Sequence, residues 1–253
     1  YKVADEIAAH GAGMSTFSDW WHYKLEAFDA IPYNIAITHR HGVLSSLNSD
    51  SEQLQTFALY EIMKPVKYGG IPKEDALRMY TLYPAMQLRI EDKVGSIEVG
   101  KHGDIALLSG DPFDVSTRVE KTIMDGLVYW ERDREQDYRR FPMRTAPAIA
   151  TGECVVRAGV IEAVGAAGRV QVPADAERVD VSGKHVFPGM TDLSTGLGLE
   201  EIGQVATASD QREVGEYNPH LRAMIGLQPH SVTYHVARAN GVTTAITHQG
   251  SGV

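Results

Sequence analysis

The spacing of apolar side chains changes twice along the chain, and each change marks a different kind of structure. Over residues 1–90, apolar positions recur at the three- and four-residue spacing of helices, interrupted by short apolar runs typical of buried strands. Over residues 91–188 they alternate with polar positions, as in strands that turn one face toward a core. From residue 189 to residue 253 the first pattern returns. The pattern predicts an α/β protein in which two β/α segments flank an all-β segment.

Each β/α segment contains an element with a clear signal. Leu54, Ala58 and Ile62 recur every four residues and predict an amphipathic helix, which follows a short predicted strand over residues 43–47. Residues 242–247 form an unbroken run of Val, Thr, Ala and Ile, which is typical of a buried strand. Helices and strands in alternation predict parallel β/α units. A closed eight-stranded β/α barrel needs roughly 200 residues or more, so each segment is predicted to be only part of a barrel.

The middle segment is predicted to contain two β-hairpins. Asp125-Gly126 lies between two apolar runs, and this pair favours the left-handed backbone of a type I′ turn. Ala158-Gly159 lies in a similar run and is a weaker turn pair. Residues 95–100, which alternate between two glycines, add a further expected strand. Because open sheet edges are unfavourable, we expect the strands of residues 95–130 and 152–187 to pair with each other.

Composition fits a globular protein and narrows its partners. The 253 residues are 43% hydrophobic and 23% charged, which is ordinary for a chain with a sizeable core. Lys and Arg total 24 against 33 Asp and Glu, a net charge of −9, and no basic run offsets it. This balance argues against a nucleic-acid partner. No apolar run has the length of a membrane span, about 18 residues, so we expect a soluble protein, either cytoplasmic or exported.

A lone cysteine, a charged run and the two chain ends carry further information. Cys154 is the only cysteine, which excludes an internal disulfide framework and a thiolate metal cluster. Residues 131–140 are mostly charged and are most simply a solvated linker. The chain begins at Tyr1 rather than Met, and only six residues follow its last predicted strand. We therefore expect it to be a fragment of a longer protein.

Three motifs that follow one another in the first half resemble one enzyme family. Residues 93–108 are similar to the end of a metal-dependent amidohydrolase. Residues 81–85 resemble the helix that precedes this motif in that superfamily, and residues 48–51 resemble the end of its last barrel strand. The resemblance is closest to the imidazolonepropionase-like branch. It implies partial TIM-type β/α barrel segments beside a β-sandwich that is built from both ends of a chain.

The second half resembles the beginning of the same superfamily. Residues 160–165 are similar to its N-terminal sandwich hairpin, and residues 181–192 are similar to the strand that leads into the barrel. In the family a His-x-His metal-binding pair begins two residues after this motif, whereas here the two positions are Ser194 and Gly196. The resemblance therefore implies a second unit that lacks these metal ligands.

The resemblance divides the chain into parts of two amidohydrolase-like units in tandem. Residues 1–90 would be the C-terminal part of a first barrel. Residues 189–253 would be the N-terminal start of a second barrel with a degenerate metal site. Residues 91–188 would hold sandwich strands from both units, joined by a charged linker near residues 131–145.

Asp50 is the strongest candidate for a functional residue. It follows the predicted strand over residues 43–47, at the position where β/α barrel enzymes carry catalytic groups. The resemblance implies that Asp50 binds a divalent metal ion, with zinc expected, and takes the proton from metal-bound water. The spacing Asp50-x-x-Gln53 is also that of a capping box at a helix start. The two roles are compatible, since either carboxylate oxygen can accept a backbone hydrogen bond.

Aromatic and histidine residues supply the other candidates. Asp19 and Trp20 would follow the seventh barrel strand and could line a substrate site, or they could belong to the start of a helix. His39 and His41 have a metal-ligand spacing but stand at a predicted helix end, where the helix dipole favours a cation. His248 follows the last predicted strand without a partner at ligand spacing. Because zinc needs three or four converging ligands, we expect no complete zinc site from this chain.

The resemblance implies an enzyme that hydrolyses C–N bonds of amides or cyclic amides, with a small-molecule substrate and a divalent metal cofactor. The remaining ligands would lie outside this chain, so the isolated chain is expected to be inactive and not to retain the metal. The alternative is a non-catalytic binding or scaffolding module, suggested by Ser194 and Gly196. Neither a nucleic-acid nor a membrane partner is expected, and a homo-oligomer is compatible with the sequence.

Overall fold

The secondary structure follows the predicted order of a β/α, an all-β and a second β/α segment. The computed structural model describes residues 1–18, 25–49, 54–132, 149–150, 154–166, 168–201, 209–210 and 222–248. Within these residues the α-helices are α1 (Ala4–His10), α2 (Asn34–Arg40), α3 (Ala58–Gly69), α4 (Lys73–Arg78), α5 (Leu82–Leu88), α6 (Ala223–Gly226) and α7 (Thr233–Ala239). The strands are β1 (Gly13–Thr16), β2 (Leu44–Leu47), β3 (Ile105–Leu108), β4 (Val119–Met124), β5 (Leu127–Glu131), β6 (Ile149–Ala150), β7 (Cys154–Arg157), β8 (Val160–Val164), β9 (Glu177–Arg178), β10 (His185–Pro188), β11 (Met190–Thr195) and β12 (Val242–Thr247). Short 3-10 helices cover Leu25–Ala27 and Leu54–Phe57.

The two β/α segments contribute two pairs of parallel strands, β1 with β2 and β11 with β12. The turn between α4 and α5 connects these pairs through backbone hydrogen bonds. On one side, Leu47 donates its N–H to the Met79 carbonyl at 2.8 Å. On the other side, Thr191 donates its N–H to the Tyr80 carbonyl at 3.1 Å. β2 and β11 therefore flank this turn, and the parallel strands of the described residues form two separate two-stranded sheets rather than a closed barrel.

One apolar core serves both β/α segments. Met79 and Tyr80, in the turn between the strand pairs, are completely buried in it. The buried members of this core come from α2, β2, α3, α4, β11, α7, β12 and the turns between them, and they are Ile35, Ala36, Leu47, Ala58, Ile62, Ile71, Ala76, Met79, Tyr80, Met190, Leu197, Ala237 and Val242. The two segments that the sequence assigns to separate units thus bury their apolar faces against each other in this chain.

Two four-stranded sheets make up the middle segment. Their strand orders are β10-β3-β4-β5 and β8-β7-β6-β9. β10 pairs antiparallel with β3, so strands of residues 95–130 and 152–187 pair with each other as predicted. The two sheets also pack together, and the buried side chains at their contact are Ile105, Ile123, Cys154, Val156 and Ile161.

Both predicted hairpin turns are confirmed. Asp125 and Gly126 connect β4 to β5 with φ angles of 49° and 75°, and Ala158 and Gly159 connect β7 to β8 with φ angles of 50° and 86°. Positive φ at both central residues is the requirement of a type I′ turn. Gly126 is needed for a second reason, since a Cβ there would lie 2.8 Å from Cγ1 of Val156. Local turn chemistry therefore sets the connections of both hairpins.

Residues 95–100 differ from the prediction, because they form turns rather than a strand. Gly95 and Gly100 both have positive φ, 91° and 94°, and this backbone conformation bends the chain out of an extended path. Of the predicted charged linker, Glu131 ends β5 and Arg132 lies in a turn, whereas residues 133–148 lie outside the described residues. No helix in the described part of the chain combines the length and apolarity needed to cross a bilayer.

Candidate functional site at the carboxyl ends of the parallel strands

Polar residues collect where the parallel strands end, which is where β/α enzymes carry their active sites. Ser49 follows β2, Ser194 lies near the end of β11, and His248 directly follows β12. Asp192, within β11, is completely buried and contacts the first two of these residues. We refer to Ser49, Asp192, Ser194 and His248 as the carboxyl edge.

The carboxylate of Asp192 joins the two β/α segments at this edge. Its Oδ2 accepts a hydrogen bond of 2.5 Å from the hydroxyl of Ser49, 143 residues away along the chain. Its Oδ1 accepts the backbone N–H of Ser194 at 3.2 Å. Ser49 and Asp192 are only 1% and 0% exposed, and a hydrogen bond shielded from water is electrostatically stronger than an exposed one. The end of β2 is therefore held against β11.

A β-bulge shapes the end of β11. Asp192 pairs with Ala245 and Thr195 pairs with Thr247, so β11 has one more residue than β12 between these two pairs. The extra residue of a bulge bends its strand and redirects a side chain. Ser194 lies within this bulge, and its Oγ is 2.8 Å from Nε2 of His248. The backbone N–H of His248 donates to the Thr195 carbonyl at 3.2 Å, so both members of the pair are fixed by the strand backbone.

The predicted residues Asp50, Asp19 and Trp20 lie outside the described residues. Asp50 comes directly after Ser49, so the carboxyl edge is described up to the residue that precedes it. Asp19 comes directly after Ser18, which is the last residue of the described stretch 1–18. The roles of all three in metal binding, catalysis or substrate binding stay predictions.

A hydrogen bond to a buried glutamate holds the chain just before Asp19. Glu61 in α3 is 2% exposed and pairs with Lys64 one helical turn later. It also accepts a hydrogen bond of 3.3 Å from the hydroxyl of Ser18. The ion pair keeps the buried Glu61 charge compensated. The hydrogen bond from Ser18 then holds the chain that follows β1 against α3.

His39 and His41 have separate acidic partners. Nε2 of His39 lies 3.9 Å from Oδ2 of Asp75, and Nδ1 of His41 lies 2.6 Å from Oδ1 of Asp5. His39 lies in the last turn of α2, and His41 directly follows that helix. This arrangement agrees with histidines that stabilise a helix end rather than a shared metal ion.

One other cluster in the described part of the chain offers three potential metal ligands. The ligand atoms of His102, Asp104 and Asp125 lie within 4.8 Å of one another. They also contact each other, since Nδ1 of His102 lies 3.0 Å from Oδ1 of Asp125 and Oδ1 of Asp104 accepts the Asp125 N–H at 2.9 Å. Burial raises the pKa of the Asp104 carboxyl above its ordinary value, and the Asp125 N–H partly opposes that shift.

This cluster lies at the other end of β11. Gly189, which directly precedes β11, donates its N–H to the Asp104 carbonyl at 2.9 Å. Ser194 lies five residues further on, a distance of roughly 16 Å at the usual strand rise. The His102 cluster is therefore separate from the carboxyl edge, and its hydrogen bonds support the β4–β5 turn.

The first half of the chain, including the end of β2, carries the sequence of a known family. The model of the Amidohydrolase family matches residues 35–129. Over these residues the chain is similar to amidohydrolases. The relationship confirms the resemblance seen in the motifs of the first half. Membership of the imidazolonepropionase-like branch stays a prediction.

Curated amidohydrolase relatives are similar to about half of the chain or less. An N-acetylglucosamine-6-phosphate deacetylase from Haemophilus influenzae is 31% identical over 124 residues, which are 49% of this chain and 28% of the deacetylase. An N-substituted formamide deformylase from Arthrobacter pascens is 37% identical over 148 residues, 51% of this chain and 27% of the deformylase. Adenine deaminase 3 from Rhizobium johnstonii is 32% identical over 98 residues, 38% and 16% of the two chains. This chain thus spans about a quarter of the deacetylase and of the deformylase.

The contacts of the carboxyl edge were not foreseen from the sequence. Ser194 and His248 are 54 residues apart and meet only because β11 pairs with β12. The one available signal was a histidine placed directly after a predicted strand. The Ser49–Asp192 bond and the His102 cluster gave no comparable signal, because neither has a spacing that a local motif could reveal.

Proposed function

We propose that the protein to which this chain belongs hydrolyses C–N bonds of amides or cyclic amides with the help of a divalent metal ion. The observation that carries the proposal is that the amidohydrolase match over residues 35–129 includes β2 and the Asp50 that follows it. β2 is a parallel strand, and the carboxyl ends of such strands are where β/α enzymes place catalytic groups.

The relatives support a carbon–nitrogen bond as the target. A deacetylase, a formamide deformylase and an adenine deaminase are named for the removal of an acetyl, a formyl and an amino group. Each of these reactions separates a carbon from a nitrogen that then leaves. We extend to this protein only that shared feature, so the proposed substrate is a small molecule with an amide, a formamide or a cyclic amide group.

The described residues alone do not fit the expected metal ion at the carboxyl edge. The oxygens of the buried Asp192 accept hydrogen bonds from Ser49 and from the Ser194 backbone, and Nε2 of His248 is directed at Ser194. Three or four converging ligands are needed for zinc. The proposed metal therefore depends on Asp50 and on ligands beyond the described residues.

The proposed role of Asp50 is to carry a proton to the leaving nitrogen. A carboxylate placed at the reacting atoms can accept a proton and return it, which typically contributes about 10²–10⁴-fold to a rate. Ser49 would help to position it, because the Ser49–Asp192 bond holds the preceding residue in a buried contact. Asp19 and Trp20 are proposed to line the substrate site, after the Ser18 that is anchored to Glu61.

The division into two tandem units is part of the same proposal. It is supported by the change from parallel to antiparallel strand pairing between residues 1–90 and 91–188, and by the return to parallel pairing after residue 189. The alternative function is a non-catalytic binding or scaffolding module. It would follow from Ser194 and Gly196, which stand where the family has a histidine pair.

The test is amide hydrolysis by the complete protein and its Asp50→Asn variant. The protein is loaded with zinc and assayed with N-acetyl, N-formyl and cyclic amide substrates. We expect hydrolysis of at least one class, and a loss of about 100-fold or more in Asp50→Asn, the usual scale for a general acid–base group. The matched control is Asp180→Asn, an exposed aspartate whose hydrogen bonds are with the neighbouring Ser182.

Two results would contradict the proposal. Unchanged hydrolysis in Asp50→Asn would remove Asp50 from the reaction. A complete, zinc-loaded protein that cleaves none of the three substrate classes yet binds small amides would favour the binding module.

A further inference from the structure

The Ser194–His248 pair takes no part in the proposed amide hydrolysis, yet its geometry is that of a nucleophile and its base. We propose that Ser194 is an acyl-accepting nucleophile activated by His248, which gives this chain a metal-independent activity toward carboxylic esters with small acyl groups. The inference goes beyond the proposed function, because it needs neither Asp50 nor a metal ion.

The first argument is the distance between the two side chains. The Oγ of Ser194 lies 2.8 Å from Nε2 of His248, inside the range of about 2.6–3.2 Å at which a base can take the proton of a nucleophile. A serine hydroxyl is a weak nucleophile at neutral pH unless a neighbouring base takes its proton. The imidazole is the side chain best suited to that task near neutrality.

The second argument is that the strand backbone holds both residues. Ser194 lies in the β-bulge of β11, and bulges occur next to active sites because they redirect a side chain. The Asp192 carboxylate accepts the Ser194 N–H, and the Thr195 carbonyl accepts the His248 N–H. Sites built on strands that are held in this way are more precise than sites on loops.

The third argument is access. His248 is exposed and Ser194 is half-buried, at the carboxyl ends of two neighbouring parallel strands. By contrast, Ser45 and Ser46 in β2 are completely buried and bonded to other polar groups. Of these serines, Ser194 alone combines an imidazole partner with a side chain that a small ester can reach.

The reaction balances without a further reactant except water. The Ser194 Oγ forms a bond to the ester carbonyl carbon while its proton moves to Nε2 of His248. The bond from that carbon to the leaving oxygen then breaks, and the alcohol leaves with the proton from His248. Water next attacks the acyl-serine, His248 receives the water proton and returns it to the Ser194 oxygen, and the carboxylic acid is released. An ester is the expected substrate, because an alcohol leaves more easily than an amine.

The experiment labels the full chain with an alkyl fluorophosphonate and follows p-nitrophenyl acetate cleavage in parallel, all in excess EDTA. In the labelling reaction the Ser194 oxygen bonds to phosphorus, the P–F bond breaks, and fluoride leaves while His248 takes the hydroxyl proton. Peptide mass spectrometry is expected to find the added mass on Ser194. Ser194→Ala should lose this label, and His248→Gln should acquire it about 100-fold more slowly, the loss typical of a missing general base.

The matched control is Ser116→Ala. Ser116 is more exposed than the half-buried Ser194, and its Oγ bonds to Asp114 rather than to a histidine. Wild type and Ser116→Ala should be labelled equally at Ser194. Circular dichroism of each variant verifies the fold, and His248→Gln provides a second test on an exposed side chain if Ser194→Ala is unstable.

Three outcomes would overturn the proposal. The first is that folded wild-type chain carries no label on Ser194. The second is that wild type and His248→Gln are labelled at equal rates. The third is that Ser194 is labelled only when zinc is added. The EDTA arm separates this inference from the proposed amide hydrolysis, because chelation removes the metal-dependent reaction and leaves the labelling of Ser194 unchanged.

Discussion

At the scale of single residues, burial decides which side chains are chemically available. Cys154, the only cysteine, is buried between the two sheets of the middle segment, and burial raises the pKa of its thiol to about 11. Only the thiolate is a good nucleophile, so this cysteine is inert in the folded chain. Ser194 is intrinsically less reactive, but it is only half-buried and has an imidazole partner, which makes it available.

Asp104 is a residue whose charge opposes folding, so we expect Asp104→Asn to stabilise the chain at neutral pH. Burial raises the pKa of Asp104 in the folded state above the ordinary value of 3.8, and the ionised form is therefore favoured in the unfolded chain. The asparagine carbonyl can still accept the Asp125 N–H. The stability difference, Asp104→Asn minus wild type, should rise with pH between the ordinary and the raised pKa and then stay constant, as measured by urea unfolding across that range.

Asp114→Asn is the control with the opposite sign. The backbone N–H and the hydroxyl of Ser116 lower the pKa of the Asp114 carboxyl, so the wild-type contribution is present above the ordinary pKa and is lost as pH falls through the lowered one. The stability of Asp114→Asn relative to wild type should therefore fall as pH rises through that window. A parallel fall in Asp104→Asn would contradict the assignment of Asp104 as a charge that opposes folding.

At the scale of elements, β2 and β11 are coupled by one buried side-chain bond, and we expect Ser49→Ala to loosen that coupling. The substitution removes the donor to Asp192 and should cost about 1–3 kcal/mol of stability, the usual cost when a buried polar group loses a partner. Hydrogen–deuterium exchange should show faster exchange in β11, which lies 143 residues away in sequence.

Ser45→Ala is the matched control for this element. Ser45 is as buried as Ser49, but its hydroxyl bonds to the hydroxyl of Thr38 within the first segment. Its loss should speed exchange near α2 and β2 and leave β11 unchanged. If Ser49→Ala also left the exchange of β11 unchanged, the Asp192 bond would not be what couples the segments.

At the scale of the whole molecule, the isolated chain should bind zinc below a 1:1 ratio after dialysis against a mild chelator. The described residues of the carboxyl edge do not supply three converging ligands, and Asp50 alone adds one carboxylate. The three-residue cluster at the other end of β11 is already engaged in contacts among its own members. Metal analysis by mass spectrometry measures the retained zinc.

His102→Ala distinguishes the two regions if zinc is retained after all. Stoichiometric zinc in wild type would contradict the prediction, and its loss in His102→Ala would assign the ion to the cluster of His102, Asp104 and Asp125. Retention in His102→Ala but not in Asp50→Asn would instead assign the ion to the carboxyl edge.

The sequence by itself determined the local elements and the family resemblance, because their signals lie within a few neighbouring residues. Asp125-Gly126 specifies a type I′ turn through backbone preference alone, and residues 242–247 were predicted with the bounds that β12 has. The same reasoning failed at residues 95–100, where two glycines with positive φ override an alternating pattern. The prediction for Asp50 rests on motif resemblance, which needs no knowledge of its neighbours in space.

Only the tertiary structure decided which strand ends meet. The Ser49–Asp192 and Ser194–His248 contacts join residues 143 and 54 positions apart, and neither pair has a spacing that a local pattern can encode. They exist because burial of one common core, around Met79 and Tyr80, brings β2 beside β11. That burial depends on the summed apolar surface of both segments, a property of the folded chain as a whole.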